Sequence, residues 1–143
     1  MDNIFAQYQI DMPKAYQEKI KNYVSTGSQN QSRENAPFER QIDFWYMALC
    51  LAFHKGLTPV RERDTYNAIT AEILSRNPYR ITLLQMIALA VSGEPSILLE
   101  PKKMLDICSG LANAGIPVLI NILSDTESTP LWNIYYELED LAS

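Results

Sequence analysis

The sequence has little of what most catalytic and metal sites are built from. It contains one histidine and two cysteines in 143 residues. A single histidine excludes the usual His-rich zinc sets and most histidine general bases, apart from any that His54 itself could serve. Cys50 and Cys108 lie far apart without a C-x-x-C pair, which predicts two buried thiols. His54 lies near the carboxyl end of an expected helix, where its imidazolium form interacts favourably with the helix dipole.

Long apolar runs and phosphate-binding loops are also missing. The longest uninterrupted apolar run, Phe44 to Phe53, has ten residues, well short of the roughly 18 to 20 that span a bilayer. The patterns G-x-x-x-x-G-K-[ST], G-x-G-x-x-G and G-x-S-x-G do not occur. We therefore expect no membrane span, no cofactor, no bound metal and no catalytic activity.

The composition is that of a globular domain. Hydrophobic residues make up 47% and charged residues 20% of the chain, so a sizeable core can be buried. The length predicts one domain over residues 1–143. Met1 to Ile4 has neither the basic start nor the apolar stretch of a secretory signal, and cysteines are few, which predicts a cytoplasmic location.

Helical periodicity predicts an all-α fold, a compact bundle of six or seven short helices without a sheet. Trp45, Leu49, Leu84 and Ile87 are expected in its core. Residues 27–35 contain no hydrophobic side chain and predict a mobile loop. The expected helices span residues 13–25, 37–55, 65–76, 79–92, 101–114, 117–124 and 130–142.

Glycines and capping residues mark the expected helix ends. Gly56 is placed to end the central helix in a left-handed conformation, and Gly115 to end the helix that begins at Pro101. Pro117 then opens a further helix. Asp64 and Thr129 are candidate N-caps of the helices that follow them.

Negative charge is concentrated at the carboxyl end. The chain has 12 Lys and Arg against 17 Asp and Glu, a formal charge of −5, which argues against broad binding to nucleic acid. Residues 124–143 hold five acids and no base, so they carry the whole net charge. The carboxyl end of the last helix carries Glu137, Glu139 and Asp140. Acids are unfavourable at this end of the helix dipole unless a basic partner compensates them.

The last helix is the predicted docking element. Its expected packing stripe is Leu131, Ile134, Tyr135, Leu138 and Leu141. Trp132 and Tyr136 then lie one turn apart on the other face, where large aromatic side chains can anchor a partner. With Glu137, Glu139 and Asp140 they form the predicted binding site for a larger protein. A homodimer contact, packing on the domain's own surface, or a frayed acidic terminus are the alternatives.

Two other groups of charged residues have alternative interpretations. Arg61, Arg63, Arg76 and Arg80 could hold phosphates as a small DNA-binding or regulatory module, with Tyr66 and Tyr79 nearby for stacking. The interleaved acids instead favour a solvated face with salt bridges. Glu39 and Asp43, four residues apart, could approach a divalent ion, but nothing else in the sequence completes a metal site, and a like-charged pair on a solvated helix face is the favoured explanation.

Two blocks of the sequence resemble a known family. The first contains Pro37-Phe38, Asp43-Phe44, Ala48-Leu49, Gly56 and Pro59-Val60, and the second reads LQMIALAVSGEPSILL over residues 84–99 and continues with LANAGI over residues 111–116. Both are similar to small proteins associated with the Dnd system, the bacterial DNA phosphorothioation and restriction machinery. Ala52 stands where that family more often has glycine, and residues 27–35 have no counterpart in it.

The resemblance covers about half of the chain and implies an accessory protein of DNA modification or phage defence. It carries no catalytic residue over to this sequence. The expected function is therefore that of a non-catalytic subunit, which acts by docking to a larger protein of a defence complex.

Overall fold

A computed structural model describes residues 2–26 and 32–142 of the chain. Within these ranges the fold is mostly helical, with one small antiparallel sheet. The strands are β1 (Gln9–Pro13) and β2 (Thr65–Thr70), and the α-helices are α1 (Gln17–Asn22), α2 (Gln41–His54), α3 (Pro78–Ser92), α4 (Pro101–Leu123) and α5 (Pro130–Ala142). Short 3-10 helices span Lys14–Tyr16, Ala71–Arg76 and Pro95–Leu99.

The core forms where α2 packs along α4, with α3 against the same side of α4. Trp45 and Leu49 of α2 and Leu84 of α3 are fully buried, and Ile87 of α3 is only 3% exposed. All four were expected in the core, and the structure confirms them. Apolar side chains surround most of α2, which is typical of a helix buried between neighbours on several sides.

Glycine ends α2 as the sequence predicts, and it also ends α3. Gly56 and Gly93 adopt φ values of 67° and 72°, in the left-handed region where a side chain is strained. After Gly56 the Leu57 N–H donates to the Ala52 carbonyl at 2.9 Å, which satisfies one of the free carbonyls at the end of the helix.

The predicted break within residues 101–124 is wrong, because α4 is one continuous helix with Pro117 inside it. Gly115 is not a cap. It lies where α4 touches α2, and a Cβ there would meet the carbonyl oxygen of Ala48 and lie 3.2 Å from the Cβ of Ala52. Close packing on α2 therefore explains this glycine. The same packing stabilises the helix at Pro117, which lacks an N–H to donate.

By length and composition alone, α4 could cross a membrane. Half of its most apolar stretch is buried inside the fold. Because the sequence predicts two shorter helices with a break at Gly115, it does not indicate a helix of this length. The core helix of a soluble protein has the same properties, so this feature is weak evidence for a membrane span. Its packing against α2, α3 and α5 gives the apolar face a partner within the chain.

The expectation of a purely helical fold is wrong at β1 and β2. These strands pair antiparallel from Gln9 opposite Thr70 to Pro13 opposite Thr65, with a bulge at Ala68. The predicted helix over 65–76 has only its second half helical, as a 3-10 segment. Threonine, tyrosine and isoleucine favour extended backbone, and β1 supplies the ladder of hydrogen bonds from far away in the sequence.

Other boundaries also differ from the prediction. The expected helix over 13–25 is shorter, because Pro13 closes β1 and only Lys14–Asn22 is helical. Asp64 caps no helix, and its carbonyl accepts the Lys14 N–H at 3.0 Å beside the sheet. Of the expected loop over 27–35, residues 27–31 lie outside the described residues, and 32–35 form a turn.

Candidate functional site

The helix α5 is attached to the fold at its start and along one face. The Asn133 side-chain amide donates to the carbonyls of Asp125 at 2.8 Å and Leu123 at 3.3 Å. The Leu131 N–H donates to the Glu34 carbonyl at 2.9 Å. Thr129 accepts the Asn133 N–H through its carbonyl, but its hydroxyl has no hydrogen-bond partner among the described residues, so the predicted side-chain cap is wrong.

The packing face of α5 is narrower than the sequence predicts. Ile134 is buried, and Leu131 and Leu141 are half-buried, as expected. Tyr135 and Leu138 were expected to pack inward but are exposed. The difference arises because α5 packs mainly on α4, which buries only a narrow face of the helix.

Three aromatic side chains of α5 form one exposed cluster, here named the α5 aromatic surface. It consists of Trp132, Tyr135 and Tyr136, which are 43%, 50% and 53% exposed. The Trp132 ring centroid lies 5.5 Å from that of Tyr135 and 5.9 Å from that of Tyr136, and the two tyrosine rings are 5.7 Å apart. The sequence predicts the exposure of Trp132 and Tyr136 but misses Tyr135.

Acidic groups flank the α5 aromatic surface. The Trp132 indole N–H donates to the Glu34 carboxylate at 3.2 Å, which fixes the indole ring. Glu139 and Asp140 follow Tyr135 and Tyr136 by four residues, so each lies one helical turn further along the same side. No basic residue occurs in this part of the sequence, from 124 to 143.

Glu137, the third acid of the predicted site, is directed towards the body of the protein. Its carboxylate pairs with the Lys55 ammonium at 3.2 Å, beyond the carboxyl end of α2. The bridge compensates one of the acids at the unfavourable end of α5 from within the chain. Glu137 therefore helps to position α5, while the aromatic rings face solvent.

The four arginines of the DNA-binding alternative are distributed over several parts of the fold. Arg80 pairs with Asp43 at 3.0 Å, and its guanidinium lies 4.4 Å from the ring centroid of Tyr46. Arg61 lies in the exposed connection after α2 with Arg63, and Arg76 ends a 3-10 helix. Arg61, Arg76 and Arg80 line three different surface grooves.

Of the carboxylate pair Glu39 and Asp43, Asp43 is engaged by contacts within the fold. The two Asp43 oxygens accept the Arg40 N–H at 3.1 Å and the Arg80 guanidinium at 3.0 Å. Glu39 is exposed. Asp43 therefore connects the start of α2 to α3, a role that needs no metal ion.

The two cysteines differ in their surroundings. Cys108 is fully buried, as predicted, and its thiol donates to the Leu84 carbonyl at 3.5 Å. Burial raises the pKa of Cys108 to about 12, so it remains a neutral thiol at physiological pH. Cys50 is only half-buried, although burial also raises its pKa. It lines an apolar groove of about 320 Å³ between α2 and α5 together with His54 and Leu138.

A polar groove of about 520 Å³ lies between β1, the connection after α2 and α4. Its wall is fixed by the Val60 backbone, which donates to the Gly110 carbonyl at 2.9 Å and accepts the Asn113 side-chain amide at 3.0 Å. Asp11 and Asn113 each contribute one buried oxygen without a hydrogen-bond partner among the described residues. The sequence gives no signal for this groove, because its walls come from three distant segments.

The described residues contain no group of three or more His, Cys, Asp or Glu side chains that could hold a metal ion. Neither a family model, nor a curated protein, nor a solved structure matches this chain. Among the described residues, the α5 aromatic surface is the largest exposed cluster of aromatic rings.

Proposed function

We propose that this protein is a non-catalytic docking subunit, which binds a larger protein partner through the α5 aromatic surface. The observation that carries the proposal is that Trp132, Tyr135 and Tyr136 contact one another while each remains about half exposed. Tryptophan and tyrosine are the residues most enriched at the energetic centres of protein interfaces. A cluster of three such rings on one helix face favours an interface.

Contacts within the fold also limit the arrangements that the three rings can adopt. Ring contacts restrict all three side chains, and the bond to Glu34 restricts the indole further. Binding to a rigid surface costs less conformational entropy than binding to mobile side chains. This arrangement supports docking more than it supports a role for the aromatic residues in the stability of α5 itself.

The acids beside the rings favour a basic partner. Glu139 and Asp140 extend the aromatic face by one turn, and Glu34 adds a third carboxylate at its edge. Such a surface would attract a segment that combines Lys or Arg with apolar side chains, and the attraction would act mainly on the association rate. Glu137 would act indirectly, through its bridge to Lys55, by holding α5 in place.

The resemblance to Dnd-associated proteins gives the proposal its biological setting. We infer that the partner is a larger component of a bacterial DNA-modification or phage-defence complex in the cytoplasm. DNA binding through Arg61, Arg63 and Arg76 has less support, because Arg80 is engaged by Asp43 and the chain carries a net charge of −5.

The two tryptophans provide a direct test. Trp45 is fully buried, whereas Trp132 is exposed, so a partner that covers the α5 aromatic surface changes the fluorescence of Trp132 alone. Proteins encoded beside this gene would be purified and titrated against it. We expect a blue shift of the emission on binding, and an affinity at least about tenfold weaker for Tyr136→Ala.

The control is Leu99→Ala, which removes an exposed apolar side chain outside α3 and α5 and should leave binding unchanged. The complex should also weaken as salt is raised, since the acids attract a basic partner. An affinity that does not change in the folded double variant Trp132→Ala/Tyr136→Ala would exclude this surface as the docking site.

A further inference from the structure

Two oxygen atoms in the polar groove between β1, the connection after α2 and α4 accept no hydrogen bond from the described residues. They belong to Asp11 on β1 and Asn113 on α4, and protein atoms cover both of them. The Asn113 amide is held in its orientation, because its nitrogen donates to the Val60 carbonyl at 3.0 Å. A buried acceptor without a donor is destabilising, so both oxygens favour a group that donates hydrogen bonds.

Polar side chains line two walls of this groove. Gln9 and Asp11 lie on the face of β1 opposite its buried side chains. The helix α4 contributes a polar row at helical spacing: Lys102, Asp106, Ser109 and Asn113. A solvated helix face would explain the exposed Lys102 and Asp106, but not the two oxygens that protein covers.

The third wall, the connection after α2, is fixed against α4. The Val60 N–H donates to the Gly110 carbonyl at 2.9 Å. Gly110 allows this approach, because a Cβ there would lie 2.9 Å from the Cβ of Pro59. The groove of about 520 Å³ is therefore formed by the fold itself, and its size is typical of small-molecule sites.

We propose that the polar groove binds a small molecule with a primary ammonium group, which donates hydrogen bonds to Asp11 and Asn113. An ammonium group has three donors and no acceptor, which matches two oxygens that can only accept. It is also compact, whereas a guanidinium group is a wide planar fork. A compact donor reaches recessed oxygens more easily.

The charges that line the groove favour a cation. Three acids, Asp11, Glu62 and Asp106, face two bases, Arg61 and Lys102, so the lining carries one negative charge. Lys102 is paired with Asp106 at 2.6 Å on the outer part of α4. An anion would meet the Asp11 carboxylate and two acceptor oxygens without a donor, which disfavours it.

Titration with n-butylammonium, followed by the amide shifts of the ¹⁵N-labelled protein, tests the site. We expect saturable shifts at Val60, Gly110 and Asn113 with a dissociation constant in the millimolar range, because so small a ligand has few atoms to contribute. Two matched probes separate charge from hydrogen bonding. Butanol has no charge, and butyltrimethylammonium has the charge but no N–H, so both should bind at least about tenfold more weakly.

Asp11→Asn should weaken n-butylammonium binding by about tenfold or more, since the carboxylate charge is lost. The control Glu72→Gln removes one negative charge at an exposed position outside the groove and should bind like the wild type. The stability of Asp11→Asn distinguishes a binding role from a structural one. A residue kept for binding can be replaced without loss, so this variant should unfold at the same urea concentration as the wild type or a higher one.

Ser109→Leu provides a second variant that leaves both oxygens in place. Its larger side chain occupies the groove from α4, so it should abolish binding while the protein stays folded. The absence of saturable shifts in the wild type, equal binding of butyltrimethylammonium, or wild-type affinity in the folded Asp11→Asn or Ser109→Leu protein would overturn the proposal. The groove contains no residue of α5, so these outcomes do not bear on the proposed docking function.

Discussion

Two glycines of α4 determine how closely the long helix approaches its neighbours. A Cβ on Gly115 would meet the backbone carbonyl of Ala48, in the middle of α2. A Cβ on Gly110 would lie 2.9 Å from the Cβ of Pro59, in the connection after α2. The first neighbour belongs to the rigid centre of the core and the second to a surface segment, so the same substitution should have different costs at the two sites.

We predict that Gly115→Ala lowers the free energy of unfolding by about 1 to 3 kcal/mol, because α2 must move away from α4. The cost of Gly110→Ala should be smaller, since Pro59 can shift and alanine favours the helix over glycine. Urea unfolding of both variants beside wild type measures the difference. Equal stability of the Gly115→Ala protein and wild type would mean that the contact between α2 and α4 is looser than the structure has it.

Single residues also limit what the sequence can reveal. Gly115 followed by Pro117 in α4 resembles a helix end. Only the contact of Gly115 with Ala48 shows why glycine is required there. Gly56 and Gly93 follow the simpler rule, because they end helices in the left-handed conformation. The same residue type thus has two roles, which tertiary contact alone distinguishes.

At the scale of elements, prediction succeeds for helices whose own apolar residues and end residues define them. The centres of α2 and α3 and the start of α5 follow from periodicity and from proline or glycine at their ends. Prediction fails for β2, whose Tyr66 and Ile69 also fit a helical spacing. Its state depends on β1, and a partner strand so distant in the sequence leaves no local signal.

The candidate site is predictable to a similar extent. The exposure of Trp132 and Tyr136 follows from the helical periodicity of α5, but that of Tyr135 depends on how little of the helix packs on α4. The exposure of Tyr79 and Met86 on α3 is not predicted at all. A helix that is apolar on every side reads as fully buried, and only its position at the surface shows that one side lacks a partner.

The contact between α2 and α3 through Asp43 yields a prediction at this scale. Asp43→Ala removes the acceptor of the Arg40 N–H and leaves Arg80 without its ion partner. We expect a loss of about 1 to 3 kcal/mol of unfolding free energy. Glu39→Ala, at the exposed neighbouring acid, should change it by less than about 0.5 kcal/mol.

Chemical denaturation with and without a chelator makes the same experiment a test of metal binding. If Asp43 acts only through Arg40 and Arg80, the chelator should leave the stability of wild type unchanged. Destabilisation of wild type by the chelator, abolished in both the Asp43→Ala and the Glu39→Ala proteins, would instead assign the pair to a divalent ion.

On the scale of the whole molecule, the distribution of charge separates two surfaces. Residues 1–123 contain equal numbers of acids and bases, and the net charge of −5 comes from residues 124–143. The acidic end carries the α5 aromatic surface, while α3 contains a single charged residue, Arg80. The net charge and the docking rings therefore lie at the same end of the chain.

The stability of the whole molecule should fall at alkaline pH because of Cys108. Burial raises the pKa of this thiol from 9.0 to about 12 in the folded protein, whereas the unfolded chain ionises it at its ordinary pKa. The stabilisation is thus fully present below pH 9 and is lost as the pH rises towards 12, by up to about 1.4 kcal/mol per pH unit. Tyr46 and Tyr66, whose pKa values burial raises to about 12, act in the same direction above pH 10.

Urea unfolding between pH 7 and pH 11 should therefore show a plateau followed by a decline that starts near pH 9. Cys108→Ala loses some stability at every pH because it leaves a small cavity, but its decline between pH 9 and pH 10 should be much shallower, since only Cys50 ionises there before the tyrosines. Cys50→Ala is the matched control, and it should keep most of the wild-type decline because its thiol is only half-buried. A Cys108→Ala protein whose stability declines from pH 9 in parallel with wild type would show that this thiol ionises as easily in the fold as in the unfolded chain.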